Sequence, residues 1–245
     1  MAKNPNILII CGPTASGKTG LALQLAKELP KANILSVDSR QVYRSLDIVT
    51  GKDIPKDLPP QISFFGLDLI PPTTTANLGD FTRYGQKIIK QSIDSNTPLI
   101  IVGGTGLYLK SLTQNLSSVS VPPDPTLRQK LEKLSLVELQ ELLRQKNPQK
   151  FASLNHSDIH NPRRLIRAIE ISTVENPTPT KSFIKANFHW IGLLPDKATL
   201  KDQIRKRVQK RLDTGAATEV SNLLRQYPDH SLPIFTSLGV SQICA

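Results

Sequence analysis

The clearest pattern in the chain is an apolar run, Ile7-Leu8-Ile9-Ile10-Cys11, followed after one loop by Leu21, Ala22, Leu25, Ala26 and Leu29. A short apolar run bounded by turn residues reads as a buried strand, and spacing of three and four reads as an amphipathic helix. The same alternation recurs downstream, with strand-like stretches at 6–11, 33–37, 63–69, 98–102 and 189–194 and helical patterns in most of the gaps. Proline and threonine crowd residues 53–62 and 70–77, which predicts surface loops there. Strands alternating with helices predict an α/β fold with a parallel sheet. From about 124 to 175 no strand pattern occurs, while Leu127, Leu131, Leu134, Leu139 and Leu142 keep helical spacing. The expected organisation is therefore a first core part over 1–120, a helical insertion over 121–182 and a return to the core over 183–245. The exit segment Glu175-Asn-Pro-Thr-Pro-Thr-Lys181 reads as a linker.

The loop between the first strand and helix carries the most specific chemistry. Gly12-Pro13-Thr14-Ala15-Ser16-Gly17-Lys18-Thr19 matches G-x-x-x-x-G-K-[ST]. In its strand–loop–helix setting, backbone N–H groups and the helix N-terminus converge on an anion. Lys18 is placed to hold terminal phosphate oxygens and Thr19 a magnesium ion. The loop leaves open whose phosphates it holds. The second strand runs into Asp38-Ser39-Arg40-Gln41-Val42-Tyr43, and a carboxylate beyond the carboxyl end of a parallel strand lies near the phosphate loop. Asp38 either acts on a second substrate or caps a following helix. After the fourth strand, Val102-Gly103-Gly104-Thr105-Gly106-Leu107-Tyr108 adds another glycine-rich turn at the same sheet edge.

The 245 residues include 31 Lys and Arg against 20 Asp and Glu, a formal net charge of +11. So large a surplus points to a polyanionic partner, nucleic acid or anionic membrane. The N-terminal apolar run is too short to span a bilayer or serve as a signal sequence, so a cytoplasmic, non-membrane protein is expected. Cys11 and Cys244 form no disulfide framework, and Cys11 reads as a small core residue. His156 and His160 have metal-ligand spacing on a helix but no third ligand, so they read as surface residues or neighbours of a nucleic acid.

Together, the phosphate loop, Asp38-Ser-Arg-Gln-Val-Tyr43, Leu46-Asp-Ile-Val-Thr-Gly-Lys52, Val102-Gly-Gly-Thr-Gly-Leu-Tyr-Leu-Lys110 and Asn161-Pro-Arg-Arg-Leu-Ile-Arg-Ala-Ile-Glu170 resemble the tRNA dimethylallyltransferase (tRNA isopentenyltransferase) family over about residues 6–240. The resemblance implies a P-loop NTPase-like parallel sheet with helices on both faces and a helical insertion subdomain. It also implies a monomer that moves a dimethylallyl group from dimethylallyl diphosphate, with Mg2+, to the exocyclic amine of the adenosine just 3′ of the anticodon in tRNA. Although the loop is of the ATP-binding type, here it would grip an isoprenoid diphosphate. By the same resemblance Asp38 is the general base and Thr14 contacts the bridging oxygen of the leaving diphosphate. Gly12 to Thr19 and Arg207 hold the diphosphate, with the metal at Thr19. Gln41 hydrogen-bonds the target base, Ser39, Arg40 and Thr105 line the tRNA channel, and Arg163, Arg164 and Arg167 contact tRNA.

Asn161-Pro162 also reads as a helix start, with the three arginines around one side and Ile166 and Ile169 facing inward. A second basic helix is expected from Lys197 to about Leu212.

Several positions depart from the family pattern. M-D-I-G-T-A-K-P is here Leu46-Asp-Ile-Val-Thr-Gly-Lys-Asp53, so Val49 replaces a glycine. Position 203, where a further basic residue is expected, is Gln. G-Y-[KR]-[EQ] is Gly239-Val-Ser-Gln242, and the sequence given ends at Ala245, where members continue into helices that close over tRNA. The resemblance thus implies a short form, a fragment or a copy with weakened activity. A P-loop kinase, an adenylate isopentenyltransferase and a tRNA-binding protein without turnover are the alternatives. The first does not account for the second glycine turn, the arginine helix or the charge.

Overall fold

The computed structural model describes residues 5–55, 57–174 and 183–244 and divides the chain into two compact units, 1–114 with 184–245, and 115–183. The expected linker at 175–181 lies outside the described residues.

The larger unit is built on a parallel sheet of β1 (Asn6–Cys11), β2 (Ala32–Val37), β3 (Ile62–Phe65), β4 (Leu99–Gly103) and β5 (Asn187–Gly192), in the order β3-β2-β4-β1-β5. Strands buried on both faces read as continuous apolar runs, as β1, β2 and β4 do. Alternate residues serve opposite cores. Ile7, Ile9, Leu35, Val37, Leu99 and Ile101 enter one cluster, and Ile10, Ile34, Ile100 and Val102 the other. Helix α1 (Lys18–Lys27) covers the second cluster through Ala22, Leu23 and Ala26. The first is covered by α2 (Leu78–Asp94), with Phe81, Ile88 and Ile89, and by α3 (Gly106–Thr113), with Tyr108, Leu109 and Leu112.

The expected strand at 63–69 stops at Phe65, because Gly66 at φ 89° and Asp68 at φ 55° turn the chain out of the sheet. The order of the strands matters for function. From β1 the chain passes over β4 to β2, and from β4 it later passes over β1 to β5. Connections leave β1 and β4 in opposite directions, and the crevice beyond such a reversal is where open α/β sheets bind ligands.

The smaller unit is helical among its described residues: α4 (Ser117–Ser120), α5 (Pro125–Leu131), α6 (Leu136–Lys146), α7 (Pro148–Ala152), α8 (His156–Ile159) and α9 (Pro162–Ser172). Leu131, Leu139, Leu143, Leu165, Ile166 and Ile169 form its core, with Leu127, Leu134 and Leu142 against it. Side-chain caps start its helices. Asp124 accepts from the Leu127 N–H, Ser135 and Glu138 form a capping box, and Asn147, Asn155 and Asn161 cap α7, α8 and α9. His156 and His160 lie 4.2 Å apart between ring centres with their planes tilted by 33°, and among the described residues no group of three His, Cys, Asp or Glu could hold a metal.

Back in the larger unit, α10 (Lys197–Asp213), α11 (Ala216–Gln226), a 3-10 turn (Pro233–Thr236) and α12 (Val240–Ile243) complete the chain. Among the described residues no helix is long and apolar enough to cross a membrane.

Candidate functional site

A cavity of about 560 Å³ opens at the carboxyl ends of β1, β2 and β4, where the order of the sheet places it. It is lined by the phosphate loop, Asp38, Gln41, Asp53, Gly104, Gln203 and Arg207. Ser39, Arg40 and Thr105 lie outside its lining.

The loop curls by left-handed residues, Ala15 at φ 59° and Gly17 at φ 85°. For Ala15 this costs on the order of 1–2 kcal/mol, strain of the kind that gathers at ligand cradles. Among the described residues the N–H groups of Thr14, Ala15, Ser16 and Gly17 have no protein acceptor, and α1 starts at Lys18 with no side-chain cap. Unpaired amides at a helix N-terminus form an anion site. Gly12 is required by close approach, since a Cβ there would lie 2.3 Å from the Leu193 carbonyl oxygen.

Lys18 Nζ folds back onto the Pro13 carbonyl at 2.5 Å. Burial, and next the charge of Arg207, lower its pKa, against which Asp38 and Cys11 pull upward. Arg207 reaches across from α10 to donate to Thr14 Oγ1 at 2.9 Å and to Asp53 Oδ2 at 3.1 Å. Two cationic groups therefore flank the cradle.

Asp38 follows β2 directly, and its Oδ1 accepts the Arg40 N–H at 2.8 Å. The chain then makes successive turns, and among the described residues after Asp38 the next helix begins only at Leu78. The helix-cap alternative for Asp38 therefore fails: the carboxylate caps a turn and faces the phosphate loop across the cavity. Gln41 is heavily engaged. Its Oε1 accepts from Ser36 Oγ at 2.7 Å and its Nε2 donates to the Gly51 carbonyl at 2.7 Å, tying β2 to the turn at 46–52.

Sequence patterns did not reveal how that turn is held. Glu219 on α11 accepts the N–H groups of Asp47, Ile48 and Val49 at 2.6, 2.9 and 2.8 Å. Lys52 Nζ, nearly inaccessible, joins the Tyr43 carbonyl, Asp47 and Asp68 at 2.7, 2.7 and 2.5 Å. Val49, standing for a family glycine, is not at positive φ and is buried; the left-handed residue of the turn is Gly51 at φ 68°. The valine therefore fits without backbone strain.

In the helical unit, Asn161-Pro162 starts α9 as its sequence suggests. Arg163 is exposed, Arg164 pairs with Asp158, and Arg167 donates to Glu170 at 3.1 Å and to the Val121 carbonyl at 2.7 Å. Two of the three arginines thus also serve the packing of their own unit. Glu170, 1% exposed, is gripped by Arg128 through Nε at 2.7 Å and Nη2 at 2.8 Å and by the Asp124 N–H at 3.0 Å. Burial pushes its pKa up, but these donors and Arg167 outweigh that and hold it below the usual carboxylate range.

With this geometry in place, comparison with known proteins is informative. The family model described as IPP transferase matches residues 41–245, and that described as isopentenyl transferase matches residues 5–61. The tRNA dimethylallyltransferase of Picosynechococcus sp. is 36% identical over 96% of this chain and 78% of its own length. That of Synechocystis sp. is 35% identical over 99% and 78%. Among solved structures, the Staphylococcus epidermidis tRNA delta(2)-isopentenylpyrophosphate transferase superposes with a TM-score of 0.65 at 28% identity, covering 98% of this chain and 80% of that one. A eukaryotic dimethylallyltransferase acting on tRNA shares the fold, with a TM-score of 0.81 at 21% identity over 98% of this chain and 62% of its own. The family model over 41–245, relatives that align along nearly the whole sequence and a shared fold agree: the chain belongs to the IPP transferase family, that of the tRNA dimethylallyltransferases.

Proposed function

We propose that the chain transfers the dimethylallyl group of dimethylallyl diphosphate to the exocyclic amine of the adenosine 3′-adjacent to the anticodon in tRNA, and that it does so in the cytoplasm. The observation that carries this reading is that one cavity holds both an anion cradle and the Asp38 carboxylate. The allylic C–O bond to diphosphate breaks with its electron pair on the leaving oxygen, the amine nitrogen bonds to the allylic carbon, and the amine proton passes to Asp38. An allylic carbon carries positive charge as it departs, so the site acts chiefly by stabilising the leaving anion and positioning the amine.

Thr14 and Arg207, already hydrogen-bonded, are the pair for the bridging oxygen. Lys18 exchanges the Pro13 carbonyl for phosphate oxygens. An aryl amine is a weak nucleophile and needs a base for its proton, and Asp38 Oδ2, without a hydrogen-bond donor among the described residues, is free to take it. Gln41 reaches the base by giving up its bond to Gly51. The helical unit grips the anticodon arm through Arg163 and its neighbours on α9.

A Mg2+ ion fits the donor set: the Thr19 hydroxyl and diphosphate oxygens are hard ligands, and Mg2+ binds through few protein groups while keeping waters. Thr19 would hold it, and the ion would neutralise charge on the diphosphate.

The test is incubation with Mg2+, labelled dimethylallyl diphosphate and an anticodon stem-loop carrying adenosine at that position. Label should appear on this adenosine, and ATP-dependent phosphorylation of a nucleotide or small alcohol would overturn the reading.

A further inference from the structure

Three departures from the family pattern meet at one place. Gln203, Arg207 and Arg211 stand four residues apart along α10 and so form one stripe of the helix. Gln203, where a cation is expected, lines the cavity without charge. Eight residues on, Arg211 donates from Nη1 to the Val49 carbonyl at 2.9 Å. Its Nε and Nη2 are buried with no hydrogen-bond partner among the described residues. Leaving a buried donor unpaired is costly, and such a group calls for an explanation.

The space it occupies exists only because residue 51 is glycine. A Cβ there would lie 1.7 Å from Arg211 Nη2 and 2.4 Å from Arg207 Nη2. At the same turn, Asp53 stands where the family pattern has proline and binds Arg207. Burial, and next the charge of Arg207, hold Arg211 below the usual guanidinium range, with Asp53, Asp38 and Glu219 pulling the other way. It nonetheless stays charged, as arginine does in proteins.

We propose that Arg211 replaces the cation missing at position 203, as a positioning residue behind Arg207. Its charge keeps the Arg207 guanidinium turned toward Thr14 and Asp53 and adds a third positive charge, after Lys18 and Arg207, near the cradle, in a niche that Gly51 leaves open. The proposal rests on reading the cavity as a diphosphate site.

Inorganic pyrophosphate with Mg2+, titrated calorimetrically, tests it without requiring prenyl transfer. A failure of the functional reading and a failure of this proposal are therefore separable. Arg211→Met should weaken pyrophosphate about tenfold, the scale of one partly screened charge near an anion, and Arg211→Lys should recover most of that loss. Arg211→Gln, which removes the charge at the same place, should weaken binding similarly, and Gly51→Ala, whose Cβ would meet both Arg211 and Arg207, should weaken it at least as much. Thermal melting verifies folding, and Arg211→Gln reads the same charge should Arg211→Met not fold. A purely structural arginine would lower the melting temperature and leave the affinity within twofold. That result, or a lysine that restores nothing, would overturn the proposal.

Discussion

Glu170→Gln isolates the charged centre of the helical unit. In the native side chain Oε1 accepts the Asp124 N–H and Arg128 Nε, and Oε2 accepts Arg128 Nη2 and Arg167 Nη1. The amide keeps one accepting oxygen but turns an N–H2 toward donors on the other side and removes the charge that balances two guanidinium groups. Breaking a buried ion pair from one side costs about 3–5 kcal/mol. Arg128 and Arg167 keep 39% and 30% exposure, which favours the lower end, ~3 kcal/mol. A unit of this size has about 3–10 kcal/mol of stability at 0.05–0.15 kcal/mol per residue, so much of it would be lost.

Urea unfolding at pH 7, with hydrogen exchange read on α5 and α9, measures the cost. The pH dependence follows from the same hydrogen bonds. Because the folded pKa of Glu170 is depressed, its stabilisation is complete above the unfolded value of about 4.3 and is lost as pH falls through the folded value. The gap between native protein and variant should therefore close on acidification below about pH 4. A variant within about 1 kcal/mol of the native protein at pH 7, or a gap unchanged down to the acid transition, would refute the reasoning.

Three further outcomes are expected. Asp38→Asn keeps the turn hydrogen bond to Arg40 and loses basicity, so turnover should fall about 10²–10⁴-fold with little change in RNA affinity; near-normal turnover in single-turnover assays would remove Asp38 as the base. Diphosphate binding should raise the lowered pKa of Lys18, so calorimetry at alkaline pH in buffers of differing ionisation enthalpy should show proton uptake, and Lys18→Ala should abolish both uptake and binding. Arg163→Ala, at an exposed position on α9, should flatten the log–log dependence of RNA affinity on salt by about 0.7–0.9 for each phosphate the side chain neutralises; an unchanged slope would take this residue out of the RNA interface.

The sheet was legible because β1, β2 and β4 are buried on both faces and so appear as apolar runs, and the helical unit because its leucines repeat at helical spacing and its helices begin with Asp, Ser or Asn. The phosphate loop was legible because its function depends on residue types at fixed spacing. The turn at 46–52 was not. Its geometry comes from Glu219, about 170 residues away along the chain, and from Arg211 and Gln41, none of which leaves a local pattern. Nor does the sequence separate the arginines of α9 by task, since the pairing of Arg167 with Glu170 and Arg164 with Asp158 depends on how helices meet. The end of β3 was missed for a related reason. Ser63 to Leu69 has strand-like composition, and only the backbone turn at Gly66 and Asp68 shortens it.

The most direct test of the account is where a labelled dimethylallyl group goes. With Mg2+, labelled dimethylallyl diphosphate and equal concentrations of an anticodon stem-loop and AMP, the label should enter the RNA at the adenosine 3′ of the anticodon, with release of diphosphate and loss of the reaction in Lys18→Ala. Label in AMP with none in the RNA, or an RNA that binds and is never modified, would contradict it.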